Sequence, residues 1–420
     1  MDVRFPNIRY LVAFREVAVL KRIGLASDRV HLSQPAITQG IAKLERTYGA
    51  RLFERRSDGM FLTEIGEILN HRVGRVLEHL QTGAQLALKR APRGLTKGRR
   101  GFHKLVTPVQ LQALVAVSRA GSYSHAAREI GAKQPAVHRA ARELEKLAGV
   151  AFFEPVRRGV ALTPSAEGFV HHVRLAAAEL RQSQYEITAH LGQDSTRITI
   201  GSLPLSRTAI LPATIHEMLE TDGPGLQFAS VDGPYPTLLR ALRYGEIDFI
   251  IGALRDPSVA EDVTQEPLFA DRLSVVTRVG HPLTQMTNPT YGDTLKYPWI
   301  APPRETPSGS YLFETLGIHE MAETPVRIVS SSLMLIRGLM QRGDYVTVIS
   351  ENQFTVERAQ GILTSVPIGM QDNARPIGLT FRAGWQPTPT QGRFLDLIRD
   401  FCRREYGDPP GNDASYNKNE

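Results

Sequence analysis

The sequence of 420 residues contains one cysteine, Cys402. A single thiol cannot form an intrachain disulfide, which excludes a secreted, disulfide-held scaffold and favours a reducing compartment. No apolar run is long enough to span a bilayer, and the first residues lack the cleavage pattern of a signal peptide. We therefore expect a cytoplasmic protein with no membrane partner.

Patterns for catalysis and for cofactor or metal binding are also missing. The sequence has no phosphate-binding glycine loop, and His171-His172 lacks a nearby set of carboxylates or cysteines. The stretch Ser308-Gly309-Ser310 lacks the strand and the G-x-S-x-G frame of a hydrolase nucleophile. We expect no enzyme activity, no catalytic residue, no metal site and no cofactor.

Charge is divided unevenly along the chain. Residues 1–192 contain 30 lysines and arginines against 16 aspartates and glutamates, whereas residues 193–420 contain 20 against 27. A basic half suits a polyanion partner such as double-stranded DNA. An acidic half does not suit such a partner, so we expect it to have a different function.

One motif occurs twice in the basic half, in the same register and one hundred positions apart. Residues 32–55 are LSQPAITQGIAKLERTYGARLFER, and residues 132–155 are AKQPAVHRAARELEKLAGVAFFEP. The alignment extends without a gap over about residues 11–73 and 111–173. Because this period has the size of a small domain rather than of a solenoid unit, we interpret it as a duplicated domain, with copy 1 preceding copy 2.

The pattern in each copy predicts three short helices followed by a hairpin, or wing. Ser122 or Ser124 is the predicted cap of the second helix in copy 2. The third helix begins at a Gln-Pro pair, where proline is favoured, and it ends at Gly49 in copy 1 and at Gly149 in copy 2. The predicted core face of the third helix in copy 2 is Ala136, Val137, Ala140, Ala141, Leu144 and Leu147.

The outward faces of the third helices carry polar and basic side chains that suit base edges in a major groove. Wing arginines suit phosphates, which position a protein without reading sequence. For any single residue, a solvated helix face is the alternative. The predicted DNA-binding residues are Ser33, Gln34, Pro35, Thr38, Gln39, Lys43, Arg55 and Arg56 in copy 1, and Lys133, Gln134, Pro135, His138, Arg139, Arg142, Arg157 and Arg158 in copy 2.

Both copies resemble the winged helix-turn-helix of LysR-type transcriptional regulators. The resemblance rests on SQPAITQGIAKLERTYGARLFERRSDGMFLTEIGE and on GSYSHAAREIGAKQPAVHRAARELEKLAGVAFFEPVRRGVALTPSAEG. The usual member has one such domain. Copy 1 departs from the family by having LKRIGLAS at the first turn, and copy 2 by having Pro155 in place of a wing arginine. We expect both copies to contact DNA; the alternative is that one has become a packing or dimerisation element.

A long helix is predicted after each wing, at about Glu64–Lys89 and Pro164–Leu191. In the family this helix pairs two subunits, so the resemblance implies a homodimer or homotetramer. Apolar positions in the first of these helices fit a helix–helix seam: Ile65, Ile68, Leu69, Val73, Val76, Leu77 and Leu80.

The acidic half alternates strands and helices. Predicted strands at 197–203, 227–233 and 247–254 enclose two helices, which indicates an open, largely parallel α/β sheet. This half resembles the periplasmic-binding-protein-like, two-lobe effector domain of the same family. The stretch VDGPYPTLLRALRYGEIDFIIGALRDP is especially similar to the branch of galactose-binding-protein regulators.

The resemblance implies a cleft for a small-molecule effector, either a carboxylate or a sugar-derived metabolite. For each serine, plain helix capping is the alternative, and the family often has a hydroxyl where this chain has Leu205. Carried over by position, the cleft residues are Leu205, Ser206, Pro234, Tyr235, Thr306, Ser308, Ser330, Ser331 and Ser332.

The predicted chain is multidomain: two all-α winged helix-turn-helix domains followed by an α/β periplasmic-binding-protein-like, two-lobe effector domain. The predicted function is sequence-specific transcription regulation, in which the effector changes contact with RNA polymerase. The alternatives are a DNA-bridging architectural protein with a vestigial effector domain and an exported solute-binding protein, which the missing signal sequence disfavours. The predicted boundaries are 1–90 for copy 1, 91–102 for a linker, 103–192 for copy 2, 193–406 for the effector domain and 407–420 for a disordered tail.

Overall fold

The computed structural model describes residues 5–91, 101–255, 260–319 and 324–407. The chain divides into two compact units between Thr196 and Arg197. Unit 1 contains both copies, and unit 2 contains the α/β part. Most of the predicted linker at 91–102 and nearly all of the predicted tail at 407–420 lie outside the described residues.

Unit 1 repeats one series of elements: three helices, a two-stranded antiparallel wing and a long helix. The predicted helices and wings are present in both copies. Copy 1 has α1 (Ile8–Leu20), α2 (Ile23–Val30), α3 (Gln34–Tyr48), β1 (Phe53–Arg56), β2 (Gly59–Leu62) and α4 (Glu64–Lys89). Copy 2 has α5 (Pro108–Ala120), α6 (Tyr123–Glu129), α7 (Gln134–Ala148), β3 (Phe153–Val156), β4 (Gly159–Leu162) and α8 (Pro164–His190).

Side-chain caps fix where the helices begin. The hydroxyl of Ser33 accepts a hydrogen bond from the backbone N–H of Ala36 at 3.4 Å, so α3 begins directly after it. Of the two serines considered for α6, the cap is Ser122, whose Oγ accepts from the backbone N–H of His125 at 3.1 Å. Ser124 lies within α6 and is exposed.

The core face predicted for α7 is correct at five of its six positions. Val137, Ala140, Ala141 and Leu144 are buried and Leu147 is half-buried. Ala136 is exposed, so its assignment to the core is wrong: it lies in the first turn of the helix, before the buried stripe begins.

The long helices α4 and α8 pack against each other in opposite directions. Glu64 at the start of α4 lies 3.3 Å from His190 at the end of α8, and Gly83 near the end of α4 packs against Phe169 near the start of α8. The predicted seam is buried at Leu69, Val73, Val76 and Leu80 and half-buried at Ile65, Ile68 and Leu77. The resemblance implied that this helix pairs two subunits; in this structure the two long helices of one chain pair with each other.

The core of unit 1 is continuous across both copies. Phe102, placed in the linker by the sequence analysis, is fully buried there, and its ring packs edge-on against Phe169 with the centroids 5.2 Å apart. The last residue of the predicted linker therefore belongs to the fold of unit 1.

Unit 2 contains one mixed sheet, in which nine strands are found among the described residues. Their order is β10-β9-β11-β8-β13-β7-β5-β6, and β12 also pairs with β8. The strands are β5 (Arg197–Ser202), β6 (Gln227–Val231), β7 (Phe249–Ala253), β8 (Val263–Arg278), β9 (Trp299–Ala301), β10 (Val326–Val329), β11 (Val346–Ser350), β12 (Leu363–Ser365) and β13 (Ala374–Arg382).

The prediction of a largely parallel sheet holds at the two ends and fails in the middle. Strand β5 pairs in parallel with β6 and β7, and β9 pairs in parallel with β10 and β11. The long strands β8 and β13 pair antiparallel with each other and with their neighbours. The sequence predicts only the later part of β8, as a strand at 272–278, because the first residues of β8, VTQE, do not form an apolar run.

Helices cover each end of this sheet and enclose separate cores. Phe394 and Met218 are buried in a core at the β5–β7 end, whereas Trp299, Leu312 and Val348 are buried at the β9–β11 end. Strands β8 and β13 connect the two ends, so residues in the middle of these strands lie between the cores. The helices are α9 (Ile210–Asp222), α10 (Tyr235–Arg243), α11 (Tyr291–Thr294), α12 (Pro307–Ser310), α13 (Leu333–Met340), α14 (Thr355–Ala359) and α15 (Pro389–Tyr406).

Candidate DNA-binding heads and effector site

Each third helix, together with its wing, forms an exposed head, and both heads are built with the same bonds. A glutamate near the end of the helix holds the wing: Glu45 Oε1 accepts from the backbone N–H of Leu52 at 3.0 Å, and Glu145 Oε1 accepts from that of Phe152 at 2.8 Å. Glu145 also accepts from the backbone N–H of Phe153 at 3.0 Å. The position of the wing relative to the helix is thus fixed in the same way in both copies.

A threonine fixes the start of each long helix to the same wing. Thr63 Oγ1 donates to the carbonyl of Arg51, and Thr163 Oγ1 donates to the carbonyl of Ala151, both at 2.7 Å. The same hydroxyls cap α4 and α8. Each long helix therefore leaves its head in a defined direction.

The first turn of each head also meets its wing through an equivalent bond. Met60 donates its backbone N–H to the carbonyl of Lys21 at 2.9 Å, and Val160 donates to that of Gly121 at 2.8 Å. Lys21 adopts the left-handed φ of 57°, where Gly121 has 64°. The departure of copy 1 from the family in this turn, LKRIGLAS, therefore preserves the backbone path, at the strain expected for a non-glycine residue.

All predicted DNA-binding residues are exposed. Besides Ser33 and Arg56, several of them have intramolecular partners that limit their orientation. Thr38 Oγ1 donates to the carbonyl of Gln34 at 3.0 Å, the ring of His138 packs edge-on against Tyr123, and Arg142 Nη1 bonds Glu145 Oε2 at 2.8 Å. Arg142 is therefore tied to the glutamate that holds the wing.

The wings carry their positive charges in different places. Arg55 and Arg56 lie on strand β1, whereas Arg157 and Arg158 lie in the turn between β3 and β4. The positions of copy 2 that match Arg55 and Arg56 hold Pro155 and an exposed Val156. The two heads thus share one backbone and present different wing surfaces.

The wing of copy 1 also contains a cluster of cations around an aromatic ring. Lys21 Nζ lies 4.7 Å and the Arg56 guanidinium 4.8 Å from the centre of the Phe61 ring, an arrangement that orients both cations. Arg56 also pairs with Glu54 at 3.0 Å, and both side chains of this pair are exposed. The matching positions in copy 2 hold Gly121, Val156 and Ala161.

In unit 2 the middle of the sheet contains a buried polar cluster around Asp271. Arg375 donates to Asp271 Oδ2 from Nε and Nη2, both at 3.2 Å, and Asp271 Oδ1 accepts from Ser350 Oγ at 2.7 Å and from Asn352 Nδ2 at 3.0 Å. Arg375 Nη1 also donates to Ser308 Oγ at 2.9 Å. Burial raises the pKa of Asp271, and its donors oppose that shift by stabilising the carboxylate.

A second arginine lies close to this cluster. The guanidinium of Arg255 lies 4.8 Å from the centre of the Tyr235 ring. Burial lowers the pKa of Arg255 to about 10, and the nearby charge of Arg375 contributes to the shift. Burial also lowers the pKa of Arg375. Burial disfavours the charge of both guanidinium groups, and Arg375 adds to this effect at Arg255, so a bound anion would stabilise the charged form of Arg255.

The structure brings Tyr235 and Ser308, of the predicted effector residues, to these two arginines. Leu205 and Ser206 are buried in the turn Pro204–Arg207, where Ser206 Oγ donates to the carbonyl of Leu203 at 2.8 Å. This turn is joined to the segment after β11, since Thr208 Oγ1 donates to the carbonyl of Gln353 at 3.1 Å.

The remaining predicted effector residues have local roles. Pro234 precedes α10. Thr306 caps α12 and Ser332 caps α13, with Oγ atoms that accept from the backbone N–H of the third residue of each helix. Ser330 Oγ accepts from the backbone N–H of Ser332 at 3.1 Å, and Ser331 is exposed. Capping, the alternative considered for the serines, accounts for the bonds of Ser332.

Five residues of this region were not predicted from the sequence: Arg255, Asp271, Ser350, Asn352 and Arg375. One signal was available: Asp271 directly follows the apolar run PLFA in the sequence, and an acidic residue inside a buried strand requires a partner. That partner lies 104 positions later in the sequence. Only the antiparallel pairing of β8 with β13 brings the two side chains together.

Two further findings concern the described residues only. They contain no group of three or more histidine, cysteine, aspartate or glutamate side chains that could hold a metal ion. In the same part of the chain, no helix has the length and apolar character needed to cross a membrane.

Comparisons with known families match both units. The family described as "Bacterial regulatory helix-turn-helix protein, lysR family" matches residues 8–67 and again residues 108–167. The family described as "LysR substrate binding domain" matches residues 191–403.

Curated relatives are named transcriptional regulators. The chain is 32% identical to the HTH-type transcriptional regulator GalR of Pseudomonas putida over 402 residues, which covers 95% of this chain and 98% of the relative. It is 29% identical to PcaQ of Agrobacterium fabrum over 290 residues, which covers 69% of this chain and 93% of the relative. An alignment over 95% of the chain must include most of both copies.

Among solved structures, a variant of full-length OxyR from Pseudomonas aeruginosa has a similar fold. The TM-score is 0.50 at 22% sequence identity, over 70% of this chain and 94% of that protein. This similarity concerns the fold alone.

Proposed function

The chain belongs to the LysR family of transcriptional regulators, and we propose from that premise that both of its heads contact DNA while unit 2 binds a small anion. The observation that carries the first part is the shared construction of the heads. Helices α3 and α7 expose polar and basic faces, and Glu45 and Glu145 hold the wings in the same position. The two matches to the helix-turn-helix family support a duplication as the origin of both heads.

The third helices would enter successive major grooves, and the wing arginines would contact phosphates. The base-reading residues are those on the exposed faces of α3 and α7. Because the wings place their cations differently, the two heads would make different phosphate contacts. The site would then consist of two unlike halves rather than of one palindrome.

The effector would be a small carboxylate or another compact anion. Arg255 and Arg375 supply two half-buried guanidinium groups, while Asp271 supplies one buried carboxylate. Tyr235 and Ser308 border the same region and suit a ring or a hydroxyl on the ligand. The hydroxyl groups of a sugar-derived acid could also form hydrogen bonds with Tyr235 and Ser308.

We further infer that the separate cores at the two ends of the unit 2 sheet act as two lobes. Anion binding between them would shift the population between two arrangements and change how the heads and RNA polymerase are engaged. No catalytic role is proposed. The protein would act in the cytoplasm, and any homodimer or homotetramer would use surfaces outside the seam of α4 and α8.

Point variants of the full chain test the DNA part. Deleting residues 1–95 would remove α4 and uncover the face of α8 that packs on it, so the deletion would change the fold as well as a head. We would footprint the DNA upstream of the protein's own gene with the unmodified chain, with Gln39→Ala and with Arg139→Ala. The exposed Glu220→Ala on α9 is the matched control.

Protection lost from different parts of the footprint in the two head variants supports two reading heads. An effect of only one variant assigns the other head to assembly. A footprint without sequence preference refutes the regulator proposal for that promoter and favours a DNA-bridging protein.

A further inference from the structure

The seam between α4 and α8 contains a buried ion-pair cluster centred on Arg72. The Arg72 side chain is fully buried, and its Nε donates to Glu186 Oε2 at 3.0 Å while Nη1 donates to Glu179 Oε2 at 2.8 Å. Gln182 accepts a further bond at 3.2 Å, and Arg75 pairs with the other oxygen of Glu179 at 2.8 Å. Such a cluster depends on every partner being present, because a buried charge without one is strongly destabilising.

Residues one hundred positions apart have equivalent places in the two helices, and the helices run in opposite directions. A contact across the seam can therefore have a matching contact on the other side, formed by the two residues one hundred positions away. The contact between Arg72 and Glu179 corresponds, one hundred positions away, to the contact between His172 and His79. The Nδ1 atoms of these two histidines are 3.3 Å apart. One side of the seam carries an ion pair and the other carries two imidazoles. Burial lowers the pKa of both histidines, which keeps them neutral near pH 7.

A seam made of two α4 helices would lose this arrangement. The residues of α4 that match Glu179, Gln182 and Glu186 are His79, Thr82 and Leu86. Arg72 would then be buried opposite side chains that carry no negative charge, on both sides of the seam. Such a pairing is disfavoured by the desolvation of two unpaired guanidinium groups.

A seam made of two α8 helices would fail for two reasons. Glu179 and Glu186 would face His172, the residue that matches Arg72, and would lose the guanidinium. In addition, Ser183 would take the place of Gly83, where a Cβ would lie 2.8 Å from the Cβ of His172. The absent side chain at Gly83 is what allows the helices to approach at this point.

We propose that α4 and α8 are mutually specific partners. Arg72 with its two glutamates, and Gly83 opposite His172, favour the pairing of α4 with α8 and disfavour the pairing of two helices of the same kind. Each linker helix takes the other linker helix of its own chain as its partner. One chain then carries one head of each kind in a single unit. The proposal concerns helix pairing and holds whether or not either head binds DNA.

The first experiment locates the partner of each helix by cross-linking. The full chain with Cys402→Ala, which removes the one native thiol, receives Leu86→Cys and Gly168→Cys, because a Cβ at position 168 would lie 3.1 Å from that of Leu86. After mild oxidation, a linked chain of monomer size on a non-reducing gel is expected. A product of dimer size would show exchange of helices between chains and overturn the proposal.

The matched control tests pairing of like helices. Position 68 is the counterpart of position 168, so Ile68→Cys with Leu86→Cys can form a disulfide only if the α4 helices of two chains pack together. No dimer-size product is expected from this pair. Its appearance at a level similar to the first variant would overturn the proposal.

The second experiment assigns the specificity to Arg72. In the Ile68→Cys, Leu86→Cys background, Arg72→Leu should raise the dimer-size product by about tenfold or more, because it removes the buried charge that penalises pairing of two α4 helices. Glu179→Gln with Glu186→Gln keeps the side-chain shapes and should act in the same direction if Arg72→Leu does not fold. Lys89→Leu, an exposed position on the same helix, should have no effect. If folded Arg72→Leu and the double glutamine variant both give no dimer-size product, this cluster does not determine the pairing.

Discussion

Glu45 and Glu145 perform the same task one hundred positions apart: each lies near the end of a third helix and accepts a backbone hydrogen bond from the residue before the wing, at 3.0 Å from Leu52 and at 2.8 Å from Phe152. Glu145 is buried and accepts a second backbone bond, from Phe153. The wing of copy 2 is therefore held more firmly by its glutamate than the wing of copy 1.

Replacing this glutamate should loosen the wing. We expect Glu145→Ala to lower the free energy of unfolding of unit 1 by about 1–3 kcal/mol, because two buried N–H groups lose their acceptor. Urea unfolding of the full chain, followed by circular dichroism, measures the change. Glu143→Ala, an exposed neighbour on α7, should leave the stability unchanged. Equal effects of the two substitutions would contradict the role given to Glu145.

The helix and the wing of copy 1 should affect DNA binding differently. Thr38→Ala or Gln39→Ala is expected to relax base preference by about 1–3 kcal/mol for each lost contact. Arg56→Ala should weaken binding to all sequences and flatten the dependence of affinity on salt. Affinities for specific and random duplexes, measured at several salt concentrations, separate the two effects. A changed sequence preference with an unchanged salt dependence in Arg56→Ala would show that the wing does not bind phosphate.

Arg255 should be required for anion binding in unit 2. We expect small carboxylates that raise the melting temperature of the full chain to lose this effect in Arg255→Gln. A ligand at one hundred times its dissociation constant stabilises the native state by about 2.7 kcal/mol, which a melting curve detects readily. Arg272→Gln, an exposed position next to Asp271, is the control and should keep the response. Unchanged stabilisation of Arg255→Gln would place the ligand elsewhere.

The half-buried histidines His79 and His172 should make the stability of unit 1 depend on pH. Burial lowers the pKa of His79 from 6.5 to about 4, while Glu179 opposes the shift and His172, Arg75 and His171 add to it. The unfolded state therefore binds a proton that the folded state rejects between these two pH values. The stabilisation is present above pH 6.5 and is lost as the pH falls toward 4, by about 3 kcal/mol for a shift of this size.

Urea unfolding at a series of pH values tests this prediction. His79→Gln removes the titrating group and should flatten the loss of stability between pH 6.5 and 4. His71→Gln, an exposed histidine on the same helix, should retain the wild-type profile. An identical pH dependence in His79→Gln and in the unmodified chain would assign the effect to other groups.

The local elements of unit 1 could be predicted because their signals are local. Ser122 caps α6, and Gly49 and Gly149 end the third helices, as the sequence indicates. The pairing of α4 with α8 in one chain could not be predicted, because an apolar seam specifies a partner helix without specifying which chain supplies it. The ion pair of Arg72 with Glu179 favours the partner helix within the chain. These residues lie 107 positions apart, so the sequence gives no local sign that they meet.

The polar cluster that we propose as the effector site was predicted only in part for the same reason. Tyr235 and Ser308 follow from the resemblance, whereas Asp271 and Arg375 meet only because two long strands cross the middle of the sheet. Hydroxyl residues at helix starts gave strong local signals, and at Thr306 and Ser332 those signals correspond to caps.

The unlike wings have a consequence for polarity. A pair of identical heads related by a two-fold axis is unchanged by a rotation of 180°, so it can bind a site in two equivalent orientations. In this chain, Arg55 and Arg56 lie on a strand of the copy 1 wing, whereas Arg157 and Arg158 lie in the turn of the copy 2 wing. The two heads therefore differ, and a half-turn does not exchange them for identical surfaces. Such a unit would bind its DNA site in one orientation. A single chain would then distinguish the upstream side of the site from the downstream side.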